Sequence, residues 1–161
     1  MSPREDVDPS KIRILLMSTG SGIGGEESFT ANLGESLRAR GWDVRVAVKS
    51  PVHGEELRRR GLPIAPISTS GRNPWTLFRG AVALARHAAQ EKIHVLHAQS
   101  AAPAAMCVLA RRLGLFKRPR PALIWHDHGV TYYRLVAAVA NHLDLTIPVS
   151  DYEKNRLLDA G

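Results

Sequence analysis

The sequence predicts an α/β fold: a Rossmann-like, doubly wound parallel sheet of about six strands with helices on both faces. Three observations lead there. Short apolar runs alternate with stretches whose apolar residues recur at helical spacing, along most of the chain. Glycines stand where helices should stop, at Gly41 and Gly114. The chain has 161 residues, 44% hydrophobic and 23% charged, which suits one domain around a single core.

Each element follows in order. Residues 1–10 mix charged and turn-forming residues without periodicity and read as a flexible tail, leaving one domain over 11–161. KIRILLMS is a buried strand that runs into the glycine-rich turn STGSGIGG. From Glu26 to Arg40, Phe29, Leu33 and Leu37 recur every four residues, one face of a helix. DVRVAVKS is the second strand, HGEELRRRG a short helix and LPIAPIS a third short strand. Pro74 opens a helix to Gln90 with Leu77, Ala81, Leu84 and Ala88 as its apolar stripe, and core packing is expected to take Trp75 and Phe78 as well. IHVLHA is the fourth strand, Ala102 to Leu113 a helix, FKRPRP an exposed basic loop, and PALIWHDHG the fifth strand. A helix over Thr131 to Asn141, a sixth strand LTIPVS and a helix from Asp151 to Asp159 complete the series.

Composition narrows the function classes. The single cysteine, Cys107, excludes an internal disulfide framework and sits among Ala, Met and Val as a buried, inert thiol. No apolar run approaches the roughly 20 residues that a bilayer span needs. The N-terminal MSPREDVDPS is polar and does not read as a signal peptide, so a cytoplasmic location is expected. The formal charge is +7, and arginine outnumbers lysine by 17 to 5. Such a surface favours phosphate-bearing or anionic partners. Arg58-Arg59-Arg60, Arg111-Arg112 and Lys117-Arg118 with Arg120 form clusters that an anionic membrane surface would attract, giving an expected peripheral position at its inner face. Nucleic acid is not expected as a partner, because no stacking aromatics or recognised motif accompany these clusters.

Two groups of residues point to chemistry. Gly20, Gly22 and Gly25 satisfy G-x-G-x-x-G between a strand and a helix, where free backbone N–H groups and the helix dipole favour an anion. A dinucleotide site would also want an acidic residue at the end of the second strand. That strand ends in Lys49-Ser50, so only an NADP-linked oxidoreductase remains as an alternative, and no Tyr-x-x-x-Lys pair supports it. Glu26 directly after the turn suits hydrogen bonds from the hydroxyls of a polyol. The second group comes from the carboxyl ends of later strands, the usual ligand edge of such a sheet. His97 and Ser100 close the fourth strand, His126, Asp127 and His128 the fifth, and Ser150 the sixth. His126 and His128 should share one face of an extended chain. No metal is expected there, and no nucleophile elbow completes a triad. A non-catalytic module docking on a partner or membrane is the remaining alternative.

The order of these motifs resembles the N-terminal, acceptor-binding domain of GT-B-type glycosyltransferases of the retaining family 4. KIRILLMSTGSGIGGEESFTANLGESLRARGWDVRVAV is similar to the family's opening, with Trp42 where histidine is usual. IHVLHAQSAAPAAMCVLARRLG, LIWHDHG and LDLTIPVSDYEKNRLLDAG are similar to three further segments in the same order. The resemblance implies that Gly24 and Gly25 form the turn beside the acceptor and the donor phosphates, and that His128 contacts the donor sugar. It implies that Ser150, His97 and Ser100 line the cleft, with Gln99 standing where the family has a second histidine. It implies sugar transfer from a nucleotide-sugar co-substrate, without a further cofactor, to a sugar or lipid-linked acceptor. It also implies a partner domain C-terminal to this one that holds the nucleotide-sugar, without which the chain is expected to be inactive.

Overall fold

The computed structural model describes residues 8–20, 24–71, 73–128 and 139–160. Five parallel strands form the sheet: β1 (Arg13–Ser18), β2 (Asp43–Val48), β3 (Val95–Ala98), β4 (Ala122–Asp127) and β5 (Leu145–Pro148), in the order β2-β1-β3-β4-β5. The helices are α1 (Gly25–Ala39), α2 (Pro51–Arg59), α3 (Pro74–Gln90), α4 (Ala101–Arg112) and α5 (Asp151–Ala160). Register is continuous across the sheet: Leu16 pairs with Val46 on one side and His97 on the other, His97 with Ile124, and His126 with Ile147.

Strand residues alternate between the two faces, and the core splits accordingly. Ile14, Leu16, Val44 and Val46 point to the side covered by α1 and α2, where they meet Ala31, Leu57 and Leu62. Leu15, Met17, Leu96, Leu123 and Trp125 point the other way, onto the alanine-rich inner faces of α3 and α4. The small stripe Ala81, Ala85 and Ala88 lets α3 lie close to α4, with Leu84 in the same buried layer. α3 starts sharply because Asn73 and Thr76 form a reciprocal capping box with Pro74 in the first turn. Cys107 is fully buried in this layer, and burial pushes its thiol up to about 12, as its apolar neighbours in sequence imply.

Four expectations need correction or limits. LPIAPIS is not a strand. It makes one bridge, Ile64 to Val46, where Ala65 N–H donates to the Val46 carbonyl and Val46 N–H donates to the Pro63 carbonyl. Pro63 lacks the N–H that would carry the ladder back toward Val44, and Ile67 N–H turns to the Ala65 carbonyl at 2.9 Å instead of reaching β2, so the ladder stops at one bridge and the sheet has five strands. Within the expected tail, residues 1–7 lie outside the described residues, while Pro9–Lys11 forms a short 3-10 turn capped by the Asp8 side chain. The helix expected over Thr131 to Asn141 lies mostly outside the described residues. Trp75 and Phe78 are not core residues: they are 65% and 40% exposed and stack on each other at the start of α3.

Candidate functional site

The strand order creates a crevice. The chain leaves β1 toward β2 and later returns to β3 on the other side, so the connections diverge between β1 and β3, and a ligand has access outside their carboxyl ends. That gap is bridged by hydroxyls. Thr19, just past β1, donates through Oγ1 to Ser100 Oγ at 2.8 Å, and its N–H points to the same oxygen at 3.2 Å. Ser100 is the residue before α4, so this pair links the tips of β1 and β3 at the start of a helix.

Glu26 ties α1 to the same point. Its Oε1 accepts from Ser18 Oγ at 2.6 Å and from Thr19 N–H at 3.1 Å. Thr69 closes the arrangement from the far side, donating to the Ser18 carbonyl at 2.7 Å. Charge-assisted bonds of this kind are the strong ones, and a carboxylate in the first turn of a helix is favoured by the dipole. Of the glycine turn, Gly20, Gly24 and Gly25 are described and Gly22 is not. Gly20 and Gly24 make room for Glu27: a Cβ on Gly20 would stand 2.3 Å from Glu27 Oε1, and one on Gly24 2.7 Å from Oε2. A Cβ on Gly25 would meet nothing within 4 Å, so its surroundings are open.

Next to the crevice lies a stack of histidines. His97, His126 and His128 all project to the α1 side of the sheet, as alternation requires. The rings of His126 and His128 lie 4.7 Å apart at 15°, and those of His97 and His126 lie 6.2 Å apart at 11°. Phe29 of α1 meets two of the three rings edge-on, at 4.4 Å from His126 and 5.0 Å from His128. His128 Nε2–H donates to Gln99 Oε1 at 3.2 Å. An amide oxygen only accepts, so this bond places the proton of neutral His128 on Nε2 and leaves Nδ1 as an acceptor. Burial holds the pKa of His97 down, at about 4, with His126 and His128 adding repulsion in the same direction. Burial likewise lowers His126 and His128, although Glu26, Asp127 and Glu27 pull His128 the other way. The stack is therefore a set of neutral imidazoles near pH 7. Asp127, buried and pointing to the opposite face, does not join it.

The expected site residues thus divide. Glu26 and Ser100 meet through Ser18 and Thr19. His97 and His128 meet through His126. Gly24 is the N-cap of α1, and Gly25 is its first residue. Ser150 lies two residues past the end of β5, exposed, with its hydroxyl accepting from Glu153 N–H at 3.2 Å as a cap of α5. The sequence reading passed over Ser18, Thr19 and Thr69, whose hydroxyls carry the crevice. It also placed Phe29 only in an apolar stripe and regarded Gln99 as a lost histidine contact, whereas Gln99 fixes the tautomer of His128. Among the described residues no group of His, Cys, Asp and Glu is arranged to hold a metal ion.

Among the described residues, the edge offers the N-termini of α1 and α4, neither capped by a side chain, the His128 imidazole and several hydroxyls. This suits hydrogen bonding to a polyhydroxylated ligand. A separate cavity of about 330 Å³, between the end of α3 and the loop at Lys117–Pro121, opens at the opposite edge of the sheet, and none of the expected site residues lines it.

Comparison with known proteins agrees with this fold. The pattern of Glycosyltransferase Family 4 matches residues 23–161. Among curated proteins none matches the chain. Among solved structures, a glycosyltransferase from Rickettsia africae is similar, at 21% identity and a TM-score of 0.74, over 92% of this chain and 39% of that one. Alr3699/HepE of Anabaena, solved with UDP and glucose, is 15% identical with a TM-score of 0.72, over 93% of this chain and 41% of its own. MurG of Acinetobacter baumannii is 15% identical with a TM-score of 0.64, over 85% and 41%. At these identities the likeness is one of fold. The chain spans about two fifths of the length of those molecules.

Proposed function

The chain belongs to Glycosyltransferase Family 4, and on that premise we propose that it forms the N-terminal, acceptor-holding half of a GT-B enzyme. The reaction is transfer of a sugar from a nucleotide-sugar to an acceptor hydroxyl, with retention at the anomeric carbon. The bond between that carbon and the nucleotide phosphate breaks. The acceptor oxygen forms a new bond on the same face, and its proton leaves with the phosphate. The observation that carries this reading is the hydroxyl-bridged crevice between β1 and β3, flanked by the His128 imidazole that Gln99 orients.

In this reading His128 positions the donor sugar by accepting from one of its hydroxyls at Nδ1. It is kept neutral by burial, so it polarises rather than delivers a proton. The open backbone at Gly25 meets the donor phosphates or the acceptor, helped by the helix dipole. Glu26 holds the crevice in shape through Ser18 and Thr19 and leaves its second oxygen for a substrate hydroxyl. We assign the remaining groups that stabilise the departing diphosphate to a second domain. UDP-sugars are the first donors to try, since Alr3699/HepE was solved with UDP and glucose.

The test is a transfer assay with a panel of nucleotide-sugars and glycan acceptors. It uses the 161-residue chain alone and a polypeptide joining it to a family 4 donor-binding domain. The joined protein is expected to transfer sugar with the anomeric configuration kept, and the chain alone to transfer none. Inverted product would overturn retention, and turnover by the chain alone would overturn the half-site reading.

A further inference from the structure

The charges of this chain are segregated in a way that its net value conceals. Between Gly61 and His126 the sequence holds nine Lys and Arg residues and one carboxylate, Glu91. That carboxylate is engaged by Arg45 at 2.7 Å. The segment builds the α3 and α4 layer, whereas Glu26, Glu27, Glu35, Glu55 and Glu56 all lie on α1 and α2, across the sheet. Arg79 and Arg86 on α3, Lys92 after it, and Lys117, Arg118 and Arg120 in the adjoining loop are all exposed.

Apolar groups are exposed on the same layer. Trp75 and Phe78 stack at 5.9 Å, and Arg79, Val82 and Arg86 follow about one, two and three helical turns after Trp75. Farther along α3, a groove of about 360 Å³ is lined by Val82, Ala85, Ala89 and Leu115, with Arg86 and Lys117 at its sides. Indole and phenyl rings prefer the boundary between headgroups and acyl chains, and arginines beside them meet lipid phosphates. Stacked aromatics with a cation-edged apolar groove, and with Glu91 at the end of α3 engaged by Arg45, therefore match an anionic lipid surface in both charge and polarity. A nucleic acid would use the charges but not the groove.

We propose that the outer face of α3, with the loop at Lys117–Arg120, docks on an anionic phospholipid leaflet. The orientation has a consequence. Helices return antiparallel to the strands they join, so the Trp75 end of α3 lies at the carboxyl edge of the sheet and the Lys92 end at the opposite one. Docking along α3 brings the leaflet beside the edge that carries Thr19, Ser100 and His128. An acceptor borne by a lipid would then reach that edge without leaving the membrane. The docking itself does not depend on the chain being a glycosyltransferase, because it rests on α3 and the loop alone.

The experiment is vesicle co-sedimentation of the 161-residue chain. Vesicles of phosphatidylcholine alone are compared with an equimolar mixture of phosphatidylcholine and phosphatidylglycerol. Binding is expected only to the mixture, to weaken steeply with salt, and to shift tryptophan emission to the blue through Trp75. Trp125 is fully buried, so it does not report the contact. Replacing both arginines, as in R79Q/R86Q, is expected to weaken partitioning roughly 30-fold, since each charge near the surface contributes about fivefold. W75A/F78A is expected to abolish the emission shift. Equal binding to both vesicles, or unchanged partitioning of folded R79Q/R86Q, would overturn the proposal. So would a short single-stranded RNA that binds more tightly than the mixed vesicles at the same salt, which would assign the surface to nucleic acid.

Discussion

Lowering the pH from 6.5 to 4 is expected to remove about 3 kcal/mol of folding stability through His97 alone. The cause is geometric. His97 lies inside the sheet on β3, beneath His126 and beside Leu16 and Ile124, and its Nε2 has no hydrogen-bond partner among the described residues. Burial holds its pKa at about 4, while the unfolded chain titrates near 6.5. The unfolded state therefore binds the proton first. The stabilisation is complete above pH 6.5, falls as the pH drops toward 4, and changes no further below that. His126 and His128 shift in the same direction and add to the loss. The check is denaturant unfolding at several pH values for the natural chain and His97→Leu. The leucine variant should show a shallower decline over this window, by about 3 kcal/mol. Parallel curves would mean that His97 is protonated in the folded state.

His128→Ala is expected to lower kcat about 100-fold in a protein that joins this domain to a donor-binding domain, with a much smaller change in KM. Alanine removes the Nδ1 acceptor and frees Gln99, but it takes nothing from the core, since His128 is only half-buried beyond the end of β4. A positioning contact that tightens in the transition state is lost from kcat, whereas one made equally in the ground state would be lost from KM. Gln99→Leu should move in the same direction by a smaller factor, because the imidazole remains but its tautomer is no longer fixed. Unchanged turnover in His128→Ala would remove the histidine from the reaction.

Much of this was legible in the residues. The alternation of strands and helices was readable because parallel strands buried on both faces are short apolar runs, while the helices between them show a stripe. α3 was readable to both ends, since Pro74 begins it and nothing but its own stripe ends it. LPIAPIS misled because apolarity and β-branching say nothing about where hydrogen-bond donors go: Pro63 has none to give, and that of Ile67 turns back to the Ala65 carbonyl. Trp75 and Phe78 misled for a related reason: a large apolar residue near a stripe is not always on it. In the site, His97, His128 and Ser100 stood out because they end strands and carry obvious chemistry. Thr19 and Thr69 did not, since an ordinary hydroxyl gains meaning only from the neighbour it reaches, and Ser100 is 81 residues from Thr19. The role of Gln99 was equally hidden, because it depends on where its amide oxygen meets His128.

The central claim is that the edge bearing Thr19, Gly25, Ser100 and His128 is where sugar ligands bind. The most direct measurement is nuclear magnetic resonance of the nitrogen-15-labelled chain during titration with nucleotide-sugars and glycans. It follows the amides of Thr19, Gly25 and Ser100 and the imidazole nitrogens of His126 and His128. The expected result is saturable movement of these signals, with His128 reporting a proton on Nε2 throughout and the Lys117–Pro121 edge unmoved. Saturable changes confined to that opposite edge, or a response to NADPH and to no sugar ligand, would contradict the claim.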